Sequence, residues 1–319
     1  MLRRLDAWDA VAEASAPLSG IRIIDQTGTL LRAPSVTFHA ADVGAADIGF
    51  NIPNAALVRA LEGAAVAAGV RLLDNGIVTR IDPGAEFAVA TTAADARIAA
   101  RLIVGADGRD SLARSAAGIG TRRWSYDQSA LAATFHHSRR HRGISTELHR
   151  PAGPCTSVPL PGNASSLVWV ERPEVVARLM AASDADFLAE LEGRLGDLLG
   201  DLHTLGPRRC FPLTGLAADK MGRHRIALVG EAAHLLPPIG AQGLNLGMFD
   251  AATLAHLVGQ ARADGRDIGS DTLLAAYHRA RAADMRLRQG AVDMLNRTLT
   301  AGLLPLDLLR GVGLHALAA

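Results

Sequence analysis

The chain has few of the residues that would anchor it by anything other than a packed core. Of its 319 residues only Cys155 and Cys210 are cysteines, far apart and without metal-type spacing, which excludes a disulfide framework and a zinc-type site and points to a reduced, cytoplasmic setting. Charge of one sign is missing too. The 33 basic and 32 acidic residues nearly cancel, so no basic field recommends a nucleic acid as partner. No apolar run reaches the roughly 18 residues of a membrane span, and none long enough for a signal peptide follows the basic start MLRRLDAWDAVAEA. Aromatic residues are scarce at 4%, whereas hydrophobic residues make up 49%, as expected of an alanine- and leucine-rich globular core. The length suits two domains, or one with a large insertion.

What is there concentrates in Arg225 to Asp250, RIALVGEAAHLLPPIGAQGLNLGMFD. Ile226 to Val229 is too short for a helix and right for a buried strand. Gly230 breaks it, Glu231-Ala-Ala-His234 leads into Pro237-Pro238, and a second turn, Gly240-Ala-Gln-Gly243, precedes helical spacing in Leu244, Leu246, Met248, Leu254, Leu257 and Val258. A strand, an acidic turn, a glycine turn and a helix start bring bare amides close to a ligand, and the helix end favours electron-rich groups. A second stretch, ARLIVGADGRDSLARSAAG, repeats the plan: a short strand Leu102 to Val104, a tight Gly105-Ala-Asp-Gly108 turn, and a helix from Ser111 to Ala117 closed by Gly118.

Together the two stretches resemble the FAD fingerprints of the single-component flavin monooxygenases, the group of p-hydroxybenzoate hydroxylase and the ubiquinone-biosynthesis hydroxylases. That family reads G-A-D-G-x-x-S-x-x-R, matched here by Gly105, Ala106, Asp107, Gly108, Ser111 and Arg114. It also reads G-D-A-A-H, then P, then G-Q-G-L-N. Here Glu231 replaces the acid and Gly240-Ala241 reverses the commoner order. The resemblance implies that Gly230, Glu231 and Ala232 meet the ribityl chain of FAD, Glu231 by a longer arm than Asp. It implies that Asp107 and Gly108 lie by the ribityl and pyrophosphate, in a segment implicated in NAD(P)H contact. Pro238, Gly240, Ala241 and Gln242 are then cofactor-binding too, and Gly243, Leu244 and Asn245 face the pyrimidine edge of the flavin. His234 reads as structural, and no catalytic side chain is named, because in this family the cofactor carries the chemistry. Asn54 matches a family position near the flavin and reads equally well as a helix cap.

Elsewhere the spacing predicts a short helix over Met1 to Ala14, a hairpin of Ile21 to Asp25 with Leu30-Leu31, a helix over Ala55 to Ala68 stopped by Gly69, and a strand Val70 to Leu73. Residues 77 to 98 read as a meander. Strands are expected over Ala130 to Phe135, Cys155 to Leu160 and Ser166 to Val170, a helix over Glu174 to Leu202, and a packed core thiol at Cys210. The run His136 to Arg142 reads as a solvated loop between strands. From Asp271 onward the chain reads as helical, and its end, around Leu303 to Leu309, as a helix that packs on the body or lies on a membrane.

The expected fold is α/β: an incomplete, Rossmann-like FAD-binding domain with an inserted mixed β-sheet substrate domain and a helical C-terminal tail. The divisions are 1–120, a partial FAD-binding domain with part of the substrate sheet; 121–210, the substrate-domain sheet and helix; 211–262, a FAD-binding segment; and 263–319, the tail. The G-x-G-x-x-G turn with which a family FAD domain begins is not found. We therefore expect a βαβ unit of about 30 or more residues to be absent, by truncation, a miscalled start or natural loss, and flavin retention by this chain alone to be poor. The implied activity is FAD- and NAD(P)H-dependent hydroxylation of a small aromatic substrate, in particular a quinone precursor, with peripheral contact at the inner membrane and a quinone-biosynthesis complex as partner. The alternatives are a non-catalytic fragment or scaffold, and a related flavin-dependent reductase or halogenase.

Overall fold

The computed structural model describes residues 1–27, 35–74, 76–237 and 243–283. These fall into two compact units. One comprises Met1–Leu72 and Asp127–Pro212, the other Leu73–Tyr126 and the described part of Leu213–Leu295. The chain passes between them along two long strands, Thr121–His137 and Arg209–Ala218.

In the first unit, Thr121–His137 pairs with Ala164–Glu171, then Cys155–Leu160, Ile144–His149, Gly20–Asp25 and Val36–His39. All of these pairs are antiparallel except Ile144–His149 with Gly20–Asp25, so the sheet is mixed. One face packs on two helices, Pro173–Ala181 and Asp184–Leu195, through Leu131, Phe135, Leu148, Trp169, Leu179 and Phe187. The single helix expected over Glu174 to Leu202 is broken because Ser183 caps the second helix, its side chain accepting from the Asp186 N–H. Leu202–His203 leaves helical geometry altogether and adds a short strand beside His136 and His137.

The helix over Asn54–Ala67 forms as its leucine spacing predicts. Gly69, at φ 81°, ends it, where a side chain would be strained. Pro53 occupies the N-cap and no side chain caps the helix, so Asn54 does not serve as its cap. Val70 to Leu73 is exposed and forms no strand. Its apolar residues have strand propensity but no neighbouring strand to pair with among the described residues. The expected N-terminal helix splits into Leu2–Leu5 and Asp9–Ala12 around Asp6, which has φ 52°. Gly20–Asp25 finds its partner in Val36–His39, and Leu30-Leu31 lies outside the described residues. Cys210 is exposed and Cys155 is the buried thiol. The first four residues of Arg209–Ala218 are exposed on both faces, so a small apolar side chain there has nothing to pack on.

The second unit holds the expected meander, Val78–Asp82, Ala88–Thr92 and Arg97–Ala100. It also holds a three-stranded sheet in which Ile226–Leu228 lies between Gly222–Arg223 and Ile103–Gly105, pairing in parallel with the latter. Helices Leu112–Ala116 and Gly243–Ala263 and the described helix at 271–283 cover it. The last of these carries Leu273, Leu274 and Tyr277 into the core with Ile226, Ala227 and Leu228.

Candidate cofactor site

The two fingerprint stretches, whose strands are 123 residues apart in sequence, lie on adjacent parallel strands. Ile226, Ala227 and Leu228 register with Ile103, Val104 and Gly105, and the Val229 N–H donates to the Gly105 carbonyl at 3.0 Å. Both strands therefore stop at the same edge, where connections in parallel sheets place ligands. Gly105 has no room for a side chain, because a Cβ there would collide with the Ala113 side chain. The small residue lets the helix Leu112–Ala116 sit directly on the strand end.

Arg114 then ties the two turns together. It is buried, and its guanidinium donates to the Ala232 carbonyl at 2.7 Å and to the Arg109 carbonyl at 2.8 Å. Burial, and next the neighbouring Arg123, pull its pKa below the ordinary arginine value. Ser111 caps its helix by accepting from the Arg114 N–H at 2.9 Å. Asp107 accepts from the Ala113 N–H at 3.0 Å through Oδ2, and Gly108, at φ 77°, leaves its backbone bare, with open space where a Cβ would stand.

The second turn hangs from the helix Gly243–Ala263. Asp250 on that helix is fully buried and takes three bonds: the Gly230 N–H at 3.0 Å and His234 Nε2 at 2.6 Å on Oδ2, and Arg281 Nε at 2.7 Å on Oδ1. A carboxylate only accepts, so the His234 proton sits on Nε2 and the ring is held as a structural donor. Gly230, at φ 59°, packs against Gly247 of the helix, where an added Cβ would come within 3.3 Å of the Gly230 Cα. Tyr277 completes the support by donating to the Leu228 carbonyl at 2.9 Å. Asp250, Arg281 and Tyr277 were absent from the sequence expectations for the site. The signal for Asp250 and Arg281 was available only as charged residues within apolar helical spacing, and Tyr277 reads there as one more apolar position, which is ambiguous in one sequence.

Of the predicted contact residues, Asp107, Gly108, Gly230, Glu231, Ala232, Gly243, Leu244 and Asn245 are described, and Pro238, Gly240, Ala241 and Gln242 lie outside the described residues. Glu231 is exposed, and no described residue bonds its carboxylate. Gly243, Leu244 and Asn245 are exposed in the first helical turn, which contains no acidic side chain to neutralise its positive end. Free acceptors at Glu231, bare backbone at Gly108 and a helix start whose first turn holds no acidic side chain are what hydroxyls and an electron-rich ring edge require. The residues fit the ribityl and flavin half of FAD.

A cavity of about 440 Å³ lies along the other side of Ile103–Gly105, walled by Val78, Ile81, Ile103, Val104 and Leu112. Val104, 46% exposed, faces outward there, at the outer strand of the sheet among the described residues. A second cavity, of about 470 Å³, is lined by Arg109, Arg123, Trp124, Thr214 and Leu235.

Comparison with known proteins agrees with this geometry. The FAD binding domain family matches residues 8–287. The ubiquinone hydroxylase UbiL of Rhodospirillum rubrum is 37% identical over 317 residues, covering 99% of this chain and 73% of that protein. The 3-demethoxyubiquinol 3-hydroxylase of Escherichia coli is 30% identical, covering 99% and 80% respectively. The human mitochondrial ubiquinone biosynthesis monooxygenase COQ6 is 34% identical over 68% of this chain, a match spanning 53% of its own length. Among solved structures, Pseudomonas aeruginosa PqsL in complex with 2-aminobenzoylacetate superposes with a TM-score of 0.77 at 22% identity, covering 97% of this chain and 86% of PqsL. Klebsiella pneumoniae HpxO complexed with FAD and uric acid gives 0.75 at 18% identity, covering 99% and 80%. At those identities the structures speak for the fold alone, a mixed α/β architecture shared with FAD-dependent hydroxylases. With the family match and the relatives over nearly its whole length, the chain belongs to the FAD-dependent monooxygenases, in the branch that contains the ubiquinone hydroxylases.

Proposed function

We propose that this chain hydroxylates the aromatic ring of a quinone precursor in ubiquinone biosynthesis, using FAD, NAD(P)H and dioxygen. The observation that carries the reading is the joining of the two fingerprint turns, by parallel pairing of Ile103–Gly105 with Ile226–Leu228 and by the Arg114 bridge to Ala232. When bound, FAD supplies the redox and oxygen-transfer chemistry. The chain's part is to hold and orient it. Glu231 would accept from ribityl hydroxyls, with the backbone of Gly230 and Ala232 beside it. Asp107 and Gly108 would help to hold the ribityl–pyrophosphate part. The first-turn amides of Gly243, Leu244 and Asn245, with Pro238, Gly240, Ala241 and Gln242 before them, favour the electron-rich pyrimidine edge. NAD(P)H contact is assigned to the segment from Gly105 to Arg114, beside the cationic side chains of Arg109 and Arg123.

Among the described residues no helix is long and apolar enough to cross a membrane. We assign the protein to the cytoplasm, meeting a hydrophobic precursor at the inner-membrane surface and within a quinone-biosynthesis complex. The divisions 1–120, 121–210, 211–262 and 263–319 remain the proposed functional segments.

The test has two readouts. FAD affinity, read by fluorescence titration, should fall in Glu231→Ala, by about 1 to 3 kcal/mol of binding free energy, the loss of one charge-assisted bond. Incubation with added FAD, NADH or NADPH, ¹⁸O₂ and a prenylated phenol should yield a ring-hydroxylated product carrying one ¹⁸O. Unchanged affinity removes the role of Glu231. Oxidation of NAD(P)H without oxygen transfer to any phenol tried would remove the hydroxylase reading.

A further inference from the structure

The face of the first unit's sheet turned away from its helices is only partly sealed. Alternation and register put Ile21, Ile23, Glu147, Thr156, Val158 and Val168 on it, on four adjacent strands, together with the polar Asp25, Ser145, His149 and Ser166. The first six are partly exposed, whereas Leu148, Cys155 and Trp169 on the opposite face are fully buried. The result is a half-buried floor, apolar at Ile21, Ile23, Val158 and Val168, with a carboxylate set among polar neighbours, a composition that suits a small molecule with an apolar body and a polar group.

That carboxylate is held in one orientation. His149, on the same strand and face, is 5% exposed, and its Nε2 lies 2.7 Å from Glu147 Oε1. A carboxylate accepts, so the ring proton is on Nε2. Nδ1 is buried with no hydrogen-bond partner, so the bond from Nε2 to Glu147 is the ring's one polar contact and fixes its orientation. Oε1 is thereby committed. Oε2 receives no bond from any described residue, in a side chain that is 16% exposed.

We propose that Glu147, with His149 as its positioning residue, is a specificity-determining group that accepts a hydrogen bond from a hydroxyl on the substrate's aromatic ring, whose apolar substituents lie on the floor from Ile21 to Val168. A neutral hydroxyl suits the site better than an ammonium, because the apolar floor would strip a cation of its water while offering it one oxygen. The inference rests on the reading of the chain as an aromatic hydroxylase and adds the group that recognises the ring.

The experiment is equilibrium dialysis of the full chain against 4-hexylphenol and 4-hexylanisole, which share the tail and differ in the hydroxyl proton. Wild type should prefer the phenol by about ten- to a hundredfold, the range of a bond to a charged acceptor. Glu147→Leu should bind both equally, with anisole affinity preserved. Glu147→Gln, which keeps the shape without the charge, should lose most of the preference and decides the matter if the leucine variant does not fold. His149→Phe should lower the preference without weakening anisole binding, an effect that loss of packing would not produce. Equal wild-type affinities, or a preference that survives both Glu147 changes, would overturn the proposal. Dialysis needs no turnover, so a chain that prefers the phenol but transfers no oxygen from ¹⁸O₂ would fail the hydroxylase reading and leave Glu147 as a phenol-binding group.

Discussion

The two units hold their shapes by different means. The sheet of the first includes the eight-residue strand Ala164–Glu171 and rests on a continuous apolar core in which Trp169, Phe135, Phe187, Leu148 and Leu191 are fully buried. The three-stranded sheet of the second has strands of two or three residues, too short to define a turn by ladder bonds alone. There the position of the ligand-facing turns depends on buried polar groups: Arg114 between two carbonyls, and Asp250 between Gly230, His234 and Arg281. Apolar packing tolerates small adjustments, but directional bonds fix a backbone to within tenths of an ångström. A site that must aim amides and carboxylates at a cofactor therefore uses the second kind of support.

The sharpest way to break this contrast is Asp250→Ala. It leaves the charged Arg281 and the His234 ring buried without their carboxylate and releases the Gly230 N–H, so the expected loss is about 3–5 kcal/mol. The damage should be local. Peptide-resolved hydrogen exchange should show deprotection from 226 to 235 and along 243–263, with the first unit's sheet unchanged. Equal deprotection in both units would mean that they share one cooperative scaffold.

Leu191→Ala is the counterpart in the first unit. Removing a fully buried side chain from the helix–sheet contact should cost about 3 kcal/mol in chemical denaturation. Bound flavin per folded molecule should stay constant, because no fingerprint residue shares that core. Asp250→Ala should lower it.

The same contrast explains what the sequence revealed. Strand ends at Gly105 and Gly230 were legible because a short apolar run followed by glycine has few alternatives, and the helix start at Gly243 because its spacing is regular. Asp250 and Arg281 were not, because they meet across 31 residues and a charge on a helix ordinarily faces water. Leucine spacing carried the predicted helix through Ser183, whose capping bond ends that pattern. Ile144–His149 was missed as a strand because Ser145, Glu147 and His149 give it a polar alternation. Its parallel register with Gly20–Asp25, a non-local fact, makes it a central strand.

Alkaline pH sharpens the comparison further. Full burial, against smaller opposing effects of Arg194 and Arg150, raises the Cys155 thiol from 9.0 to about 12. The unfolded chain loses that proton near its ordinary value while the folded chain keeps it. The folded state then binds more protons, and stability falls as pH rises from about 9 toward 12, with a limiting slope of roughly 1.4 kcal/mol per pH unit. Cys155→Ala should flatten this limb while lowering neutral-pH stability slightly, as read from denaturation midpoints between pH 8 and 10.5. Exposed Cys210 should react with a thiol reagent at pH 8 in the native protein while Cys155 stays silent.

Tyr277→Phe carries the smallest effect and probes the second unit in the same way. The phenol donates to the Leu228 carbonyl at 2.9 Å, at the end of the strand that leads into the Gly230 turn. Deleting it removes one buried bond with little change in volume, so the expected cost at neutral pH is about 1 kcal/mol. Burial, and next the nearby Asp250 charge, push the Tyr277 hydroxyl far above its ordinary value of 10.0. The unfolded state therefore ionises first, and this phenol weakens the folded state above about pH 10. The phenylalanine variant should be less stable than wild type at pH 7 and close the gap by pH 11. A gap that stays constant across that range would show that the tyrosine keeps its proton equally well in both states. Equal stability of the two proteins at pH 7 would show instead that packing supports the Leu228 carbonyl, and the contrast between the two units would lose one of its polar members.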